Sequence, residues 1–117
     1  MRRIEGEQVL MRIFIGESDQ WQHRPLYTAL LELLRSKGLA GATVLKGVAG
    51  FGADSVIHAA SLFRLSSDLP IVIEVVDTED HLQAVLPDID RRMRGGLITM
   101  EKVRVVRYEG TERGPGA

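Results

Sequence analysis

The sequence predicts a ferredoxin-like α+β fold, in which an antiparallel sheet carries two helices on one face in the order βαββαβ. Two features predict it. Apolar residues alternate in the strand-like segments but recur at three- and four-residue spacing in two helix-like segments, and these segments follow one another in that order. The chain of 117 residues is long enough for one domain with its own core. We expect a single domain over residues 1–110 and a flexible tail, rich in Gly and Pro, over 111–117.

The first half of the chain contains a predicted strand and a predicted helix. Residues 8–15 alternate, so that Val9 and Ile13 share one face while Leu10 and Phe14 share the other. A polar turn is expected over 16–24. The helix is expected over 25–37, because proline suits a first helical turn and four leucines then form one apolar stripe. Gly38 supplies the stop.

The second half repeats the pattern. Residues 71–77 form the most β-branched run in the chain and are predicted as a strand. Asp77 or Thr78 can cap the helix that follows, which we expect to end at Gly95 and Gly96. Pro87 removes one helical hydrogen bond and is expected to kink that helix or to split it in two. A last strand is predicted over 98–108.

The most unusual stretch is 41–52, which contains four glycines and is predicted as the remaining strand, opening into a long loop over 53–69. Glycines within a strand mark a bulge, a bend or a close approach of another group to the backbone. The stretches on either side of it show no comparably unusual pattern. We therefore expect the function of the chain to be centred here.

Composition limits the functional classes. The net charge of −1 favours neither nucleic acid nor an anionic membrane as a partner, and no apolar run is long enough to insert into a membrane. The absence of cysteine excludes disulfides and thiolate chemistry, and no two of the three histidines have the spacing of a helical metal site. We expect a cytoplasmic protein without a metal site.

The sheet is predicted to be apolar on both faces. The helices cover one face, yet Leu10, Phe14, Val72 and Val76 fall on the other. An uncovered patch of this kind is larger than most monomers expose, so we expect subunits to pack their sheets together as a cyclic homo-oligomer. The alternative is that the loop and the tail of the same chain cover this face.

Several residues are candidates for binding an anionic ligand. Arg94 with Gly95 and Gly96 offers a guanidinium and backbone N–H groups, although a helix end with an ordinary arginine gives the same pattern. Lys46 and Arg104 are two further candidates, although each is also compatible with a solvated position on a strand. The remaining candidates are Gly50, Phe51 and Gly52, where two glycines bracket an aromatic residue; a bend or bulge alone could explain this pattern.

The loop over 53–69 is a candidate contact for a partner. It is long and carries apolar groups beside a histidine and an arginine, namely Ile57, His58, Leu62, Phe63 and Arg64. Packing of this loop onto its own subunit is the alternative. No nucleophile is paired with Glu17 or Asp19, and we do not expect an enzyme.

Five motifs together resemble the domain of unknown function family 190. They are GATVLKG at 41–47, GFG at 50–52 and LPIVIEVVD at 69–77, with MRIFIGE at 11–17 and PLY at 25–27. That family is similar in fold to the P-II signal-transduction proteins and to the CutA-type proteins, which are trimers of ferredoxin-like subunits. The resemblance therefore implies a homotrimer.

The resemblance also implies a function. In P-II proteins a Gly-Phe-Gly segment stands at the base of the loop that contacts partners, and nucleotides bind in the cleft between subunits. Residues 50–52 match that segment, 53–69 would be the partner loop, and 94–97 corresponds to the phosphate-contacting loop, although it is short and lacks a lysine. A non-enzymatic regulatory protein is implied, with an adenine nucleotide as ligand and a membrane transporter or metabolic enzyme as partner.

Two other functions are kept open. A CutA-like role in metal tolerance, or a structural oligomer, fits the same fold. A ferredoxin-like enzyme such as an acylphosphatase ranks lower, because that chemistry needs a positioned asparagine and this chain has none.

Overall fold

The computed structural model describes residues 2–52 and 68–110, and its elements follow the predicted order with one addition. The elements, in chain order, are β1 (Gly6–Gly16), β2 (Gln20–Trp21), β3 (Arg24–Pro25), α1 (Leu26–Ser36), β4 (Thr43–Lys46), β5 (Pro70–Asp77), α2 (Glu79–Arg92) and β6 (Leu97–Val105). The predicted tail over 111–117 lies outside the described residues. So do most of the predicted partner loop and its residues Ile57, His58, Leu62, Phe63 and Arg64.

Four strands form one antiparallel sheet in the order β4-β5-β1-β6. The central strand β1 pairs with β5 on one side and with β6 on the other, with Ile13 opposite both Ile73 and Ile98. This is the strand order of a ferredoxin-like sheet. The predicted fold class is confirmed.

The core lies between the sheet and the two helices. Alternate residues of β1 and β5 are buried, as the sequence pattern predicts, and they pack against leucines of α1 and apolar residues of α2. This layer fixes the two helices on one face of the sheet. Within the described residues, neither helix has the length and apolar character that crossing a membrane requires. The core residues with no exposed surface include Met11, Ile13, Leu30, Ile73, Leu82 and Ile89.

The turn predicted over 16–24 contains the added element. β2 and β3 form a small hairpin, in which Gln20 pairs with Pro25 and Trp21 with Arg24. Pro25 consequently ends β3 and occupies the N-cap position of α1 without a capping hydrogen bond, so the helix begins one residue later than predicted. Gly38 follows α1 with a φ of +76°, which confirms its predicted role as the stop.

Pro87 does not divide α2. The helix is continuous from Glu79 to Arg92, and Thr78 caps it by accepting a hydrogen bond from the backbone N–H of His81 at 3.2 Å. Of the two expected effects of Pro87, a kink or a split, the split does not occur. Proline removes a single hydrogen bond, whereas the buried residues Leu82 and Ile89 hold the helix to the sheet on both sides of it.

The glycine-rich strand is shorter than predicted. β4 ends at Lys46, and the last bond of its ladder runs from the Gly47 N–H to the Pro70 carbonyl oxygen at 2.7 Å. Gly50, Phe51 and Gly52 thus lie outside the sheet. The reason is Pro70, which has no N–H for further pairing and whose ring would be 2.8 Å from a Cβ at Gly50. The expected close approach is found at Gly47 and Gly50, where Pro70 makes it, whereas a Cβ at Gly52 would meet nothing within 4 Å.

The open face of the sheet is less apolar than predicted. Leu10, Phe14, Val72 and Val76 are half-buried there. However, Arg12 crosses the middle of this face and pairs with Glu74 at 2.8 Å and with Glu101 at 2.6 Å. A cavity of 440 Å³ lies beside this charged group, against Ile4, Val105 and Tyr108.

Asp77 holds the N-terminal segment at Arg2 against the end of β5. Its buried carboxylate accepts two hydrogen bonds from the Arg2 guanidinium, at 2.7 and 2.8 Å, and others from the backbone N–H groups of Ala40 and Thr78. His81 Nδ1 lies 3.2 Å from the same carboxylate. The Arg2 carbonyl oxygen accepts the Gly110 N–H, so this network joins the N-terminal segment to the C-terminal one.

The same network predicts acid sensitivity. Burial alone would raise the pKa of Asp77, but the hydrogen bonds from Arg2, Thr78, Ala40 and His81 outweigh burial and hold this pKa well below its ordinary value. The carboxylate therefore stabilises the fold fully above the pKa of an unfolded aspartate, about 3.9, and this contribution is lost as the pH falls below it. Urea unfolding between pH 7 and pH 2 should show a steep acid limb, which the Asp77→Asn variant should flatten. An equally steep limb in that variant would contradict this assignment.

Candidate functional site

A cavity of 1020 Å³ lies at the end of the sheet where β1 ends and β6 begins. Its size is at the upper end of the range for small-molecule sites. Three segments line it: the end of β1 with the β2–β3 hairpin, the residues that flank the predicted partner loop, and the connection from α2 to β6. Its lining residues include Gly16, Gln22, His23, Gly50, Phe51, Gly52, Pro70, Arg92, Arg94, Gly95 and Gly96.

The backbone around the cavity is tightly packed at Gly96. This residue has a φ of +100°, and a Cβ there would lie 2.7 Å from the Phe14 carbonyl oxygen and 2.8 Å from Met93 Cε. Only glycine fits both the conformation and the space. The 94–97 connection is thereby held against the end of β1, and its backbone forms one wall of the cavity.

Two arginines bring positive charge to the cavity. The guanidinium carbon of Arg92 lies 4.4 Å from the centroid of the Trp21 ring, and Arg92 Nη1 donates to the Asp88 carbonyl oxygen at 2.8 Å. Its buried Nε has no hydrogen-bond partner in the described parts of the chain. Arg94 is exposed at the cavity. Together they favour an anionic ligand.

The two carboxylates at the cavity are engaged with the backbone. Asp19 Oδ2 accepts the Gly16 N–H at 2.9 Å, and Asp68 Oδ1 accepts the Ser18 N–H at 3.0 Å. They hold the turn after β1 in place. Since each carboxylate already has a backbone donor, the arginines are the groups best placed to meet a ligand's charge.

The cavity brings together six of the eight predicted ligand residues: Gly50, Phe51, Gly52, Arg94, Gly95 and Gly96. Phe51 is 78% exposed, which is high for an aromatic side chain unless another molecule covers it. Ligand contacts by these residues stay predictions.

The other two predicted ligand residues lie elsewhere in this chain. Lys46 Nζ pairs with Glu17 Oε2 at 2.7 Å, just beyond the end of β1. Glu17 also donates its N–H to the carbonyl oxygen of Leu69, so this pair links the segment before the predicted partner loop to the last residue of that loop. Arg104 lies on β6 opposite Glu7 and does not line the cavity.

Sequence reasoning missed the hairpin wall of the cavity. Gln22 and His23 carry no motif, and Gln-His is not a pair that signals a two-residue hairpin. Trp21, the single tryptophan in a polar run, was a usable signal that this run packs against something. Over the residues that the structure describes, no group of three or more His, Asp or Glu side chains is arranged to hold a metal ion.

Comparison with known families identifies the chain. The sequence profile of DUF190, described as Uncharacterized ACR, matches residues 8–105. The chain belongs to the DUF190 family. A UPF0166 protein of Aquifex aeolicus is 40% identical over 97 residues, covering 83% of this chain and 91% of that protein. A UPF0166 protein of Methanocaldococcus jannaschii is 34% identical over 104 residues, covering 88% and 95%. The predicted family is thus confirmed.

Two solved structures similar in fold to this DUF190 chain are described as PII-like proteins. CPII of Thiomonas intermedia K12, bound to ADP, AMP and acetate, superposes with a TM-score of 0.55 at 15% identity, covering 90% of this chain and 92% of CPII. A protein of Thermus thermophilus, described as a putative PII-like signaling protein, gives a TM-score of 0.56 at 21% identity, covering 91% and 94%. At these identities the likeness shows a P-II-like ferredoxin-like fold, and the ligands are those of CPII.

Proposed function

We propose that this protein is a P-II-like regulatory protein of the cytoplasm that binds an adenine nucleotide in the 1020 Å³ cavity and is not an enzyme. One observation carries the proposal: the cavity gathers six residues that the sequence predicts as ligand-binding, although they come from two segments more than 40 positions apart. The phosphates of the nucleotide would meet Arg94 and the backbone N–H groups of Gly95 and Gly96.

The adenine ring would use the apolar part of the cavity. Phe51 is an exposed aromatic at the cavity, and a base can stack on such a ring. CPII, which shares the fold, binds ADP and AMP, and this supports the choice of adenine nucleotides as the first ligands to test.

The assembly and the partner are part of the proposal. Half-buried apolar residues on the open face of the sheet, among them Leu10 and Val76, support packing of subunits into a homotrimer. The loop over 53–69 would contact a transporter or a metabolic enzyme. The loop directly follows Gly52, which lines the cavity, so a ligand bound there would change the conformation of the loop.

The proposal predicts the effect of removing one arginine. Arg94→Ala should weaken binding of ADP at least tenfold, because a charge-assisted hydrogen bond contributes about 1.5–3 kcal/mol. Titration calorimetry of the wild type and the variant measures this. The matched control is Arg35→Ala, which removes the same charge from an exposed position on α1.

The results of these titrations distinguish failure of the proposed function from failure of the proposed site. Binding by the wild type and by Arg35→Ala, with loss in Arg94→Ala, supports the site. No heat or thermal shift with ADP, AMP or ATP at millimolar concentration would remove the proposed function, and unchanged affinity in Arg94→Ala would remove this site.

A further inference from the structure

The β2–β3 hairpin turns through two residues in the left-handed region. Gln22 has a φ of +51° and His23 a φ of +63°, and within residues 2–52 and 68–110 they are the only non-glycine residues with positive φ. Trp21 pairs with Arg24 on either side of them. Two central residues with positive φ give the pattern of a type I′ turn.

This turn is strained for the residues that it contains. Type I′ turns favour Asn-Gly, because each side chain with a Cβ is disfavoured at positive φ, and glutamine more than histidine. Over residues 2–52 and 68–110, no side-chain hydrogen bond of Gln22 or His23 offsets this strain, and both side chains are exposed. Strain without such a structural compensation indicates a role outside the fold.

The hairpin is nevertheless held firmly in place. Arg92 of α2 stacks on Trp21 of β2, and the Arg24 guanidinium of β3 pairs with Glu32 of α1 at 2.6 Å. The Asp19 carbonyl oxygen accepts the Leu26 N–H at 2.8 Å and closes the base of the hairpin. Both strands are therefore anchored to helices, and the strained tip has a fixed position.

That tip faces the cavity. Gln22 and His23 line it together with Arg94 and the two glycines after Arg94. The arginines and the backbone N–H groups suit the charged part of a ligand. Gln22 and His23 instead offer an amide and an imidazole, each able to donate and to accept a hydrogen bond, which suits an uncharged polar edge.

We propose that Gln22 and His23 are specificity-determining residues that bind the base of the nucleotide. The amide of Gln22 would pair with the adjacent N6 donor and N7 acceptor of adenine, a pairing that guanine with its O6 acceptor does not match. His23 would hydrogen-bond the base or its ribose. This inference rests on the proposed function, since it assigns the base end of the same site.

The test relieves the strain, draws the Gln22 amide back by one methylene group and removes the His23 imidazole at the same time. In the double variant Gln22→Asn with His23→Gly, the turn receives its preferred residues, and the midpoint of thermal unfolding should rise by about 4–8 °C. Titration calorimetry should at the same time show ADP bound at least tenfold more weakly, with the preference for ADP over GDP reduced. If the turn had only a structural role, the double variant would gain thermal stability without losing affinity for ADP.

A second variant controls for the possibility that the double variant loses affinity because the backbone geometry of the turn has changed. Gln22→Ala keeps a Cβ at positive φ, so it should leave the thermal midpoint near that of the wild type while still weakening ADP binding and lowering the ADP-to-GDP preference. Unchanged ADP affinity in both variants would overturn the inference and leave the proposed function standing. A double variant less stable than the wild type would also overturn it. A wild-type protein that binds no adenine nucleotide would remove both proposals together.

Discussion

Gly96→Ala is expected to lower the free energy of unfolding by about 3 kcal/mol, through strain at positive φ and through overlap with its neighbours. The added methyl group would lie 2.7 Å from the Phe14 carbonyl oxygen, and that backbone atom belongs to the central strand and cannot move away. Denaturant unfolding at pH 7 measures the change. The cavity wall at 94–97 should shift as well, so any ADP binding should be lost in the same variant.

Gly52→Ala is the matched control for this change. Gly52 also lines the cavity, but a Cβ there meets nothing within 4 Å, and its φ is not in the left-handed region. Its free energy of unfolding should stay within about 0.5 kcal/mol of the wild type. Equal stability of the Gly96→Ala and Gly52→Ala variants would contradict the packing described for the α2–β6 connection.

Asp77→Asn is expected to lower the free energy of unfolding by about 3–5 kcal/mol at pH 7. The buried carboxylate satisfies the Arg2 guanidinium and two backbone N–H groups, and an amide can accept only some of these bonds while adding donors of its own. Urea unfolding of the variant measures the loss. Asp80→Asn is the control, since Asp80 is an exposed carboxylate in the first turn of α2 and should contribute at most about 1 kcal/mol. Similar losses in the two variants would contradict a special role for Asp77.

Most of the fold could be predicted because its signals are local. The alternation in β1 separates Ile13 from Phe14 by burial, and the apolar stripe of α1 needs only the spacing of its leucines. The order of elements then restricts the topology to few arrangements, since short connections and an antiparallel sheet favour the ferredoxin-like one.

The errors arise where a contact joins distant residues. The length of β4 depends on Pro70, which lies 24 positions after the last residue of that strand and blocks further pairing. Pro87 was expected to kink α2 or to split it, and the helix is not split, because packing of Leu82 and Ile89 against the sheet outweighs one lost hydrogen bond. Arg2 and Asp77 are 75 positions apart, and nothing in the sequence near either residue indicates that they meet.

In the candidate site, too, local patterns could be predicted and contacts between distant residues could not. Glycines that bracket an aromatic, and an arginine beside two glycines, are visible in the sequence, and the cavity contains both sets. Lys46 was also visible, but its pairing with Glu17 depends on the turn after β1. The left-handed tip at Gln22 and His23 could not be read from residue types, because those types do not favour it.

We propose that an adenine nucleotide occupies the cavity bounded by Gln22, Phe51 and Gly96. A crystal structure of the protein grown with ADP tests it most directly. We expect density for the phosphates next to Arg94 and the backbone of Gly95 and Gly96, with the base against the β2–β3 hairpin. Ordered ADP bound elsewhere on the protein, with this cavity filled only by water, would contradict it.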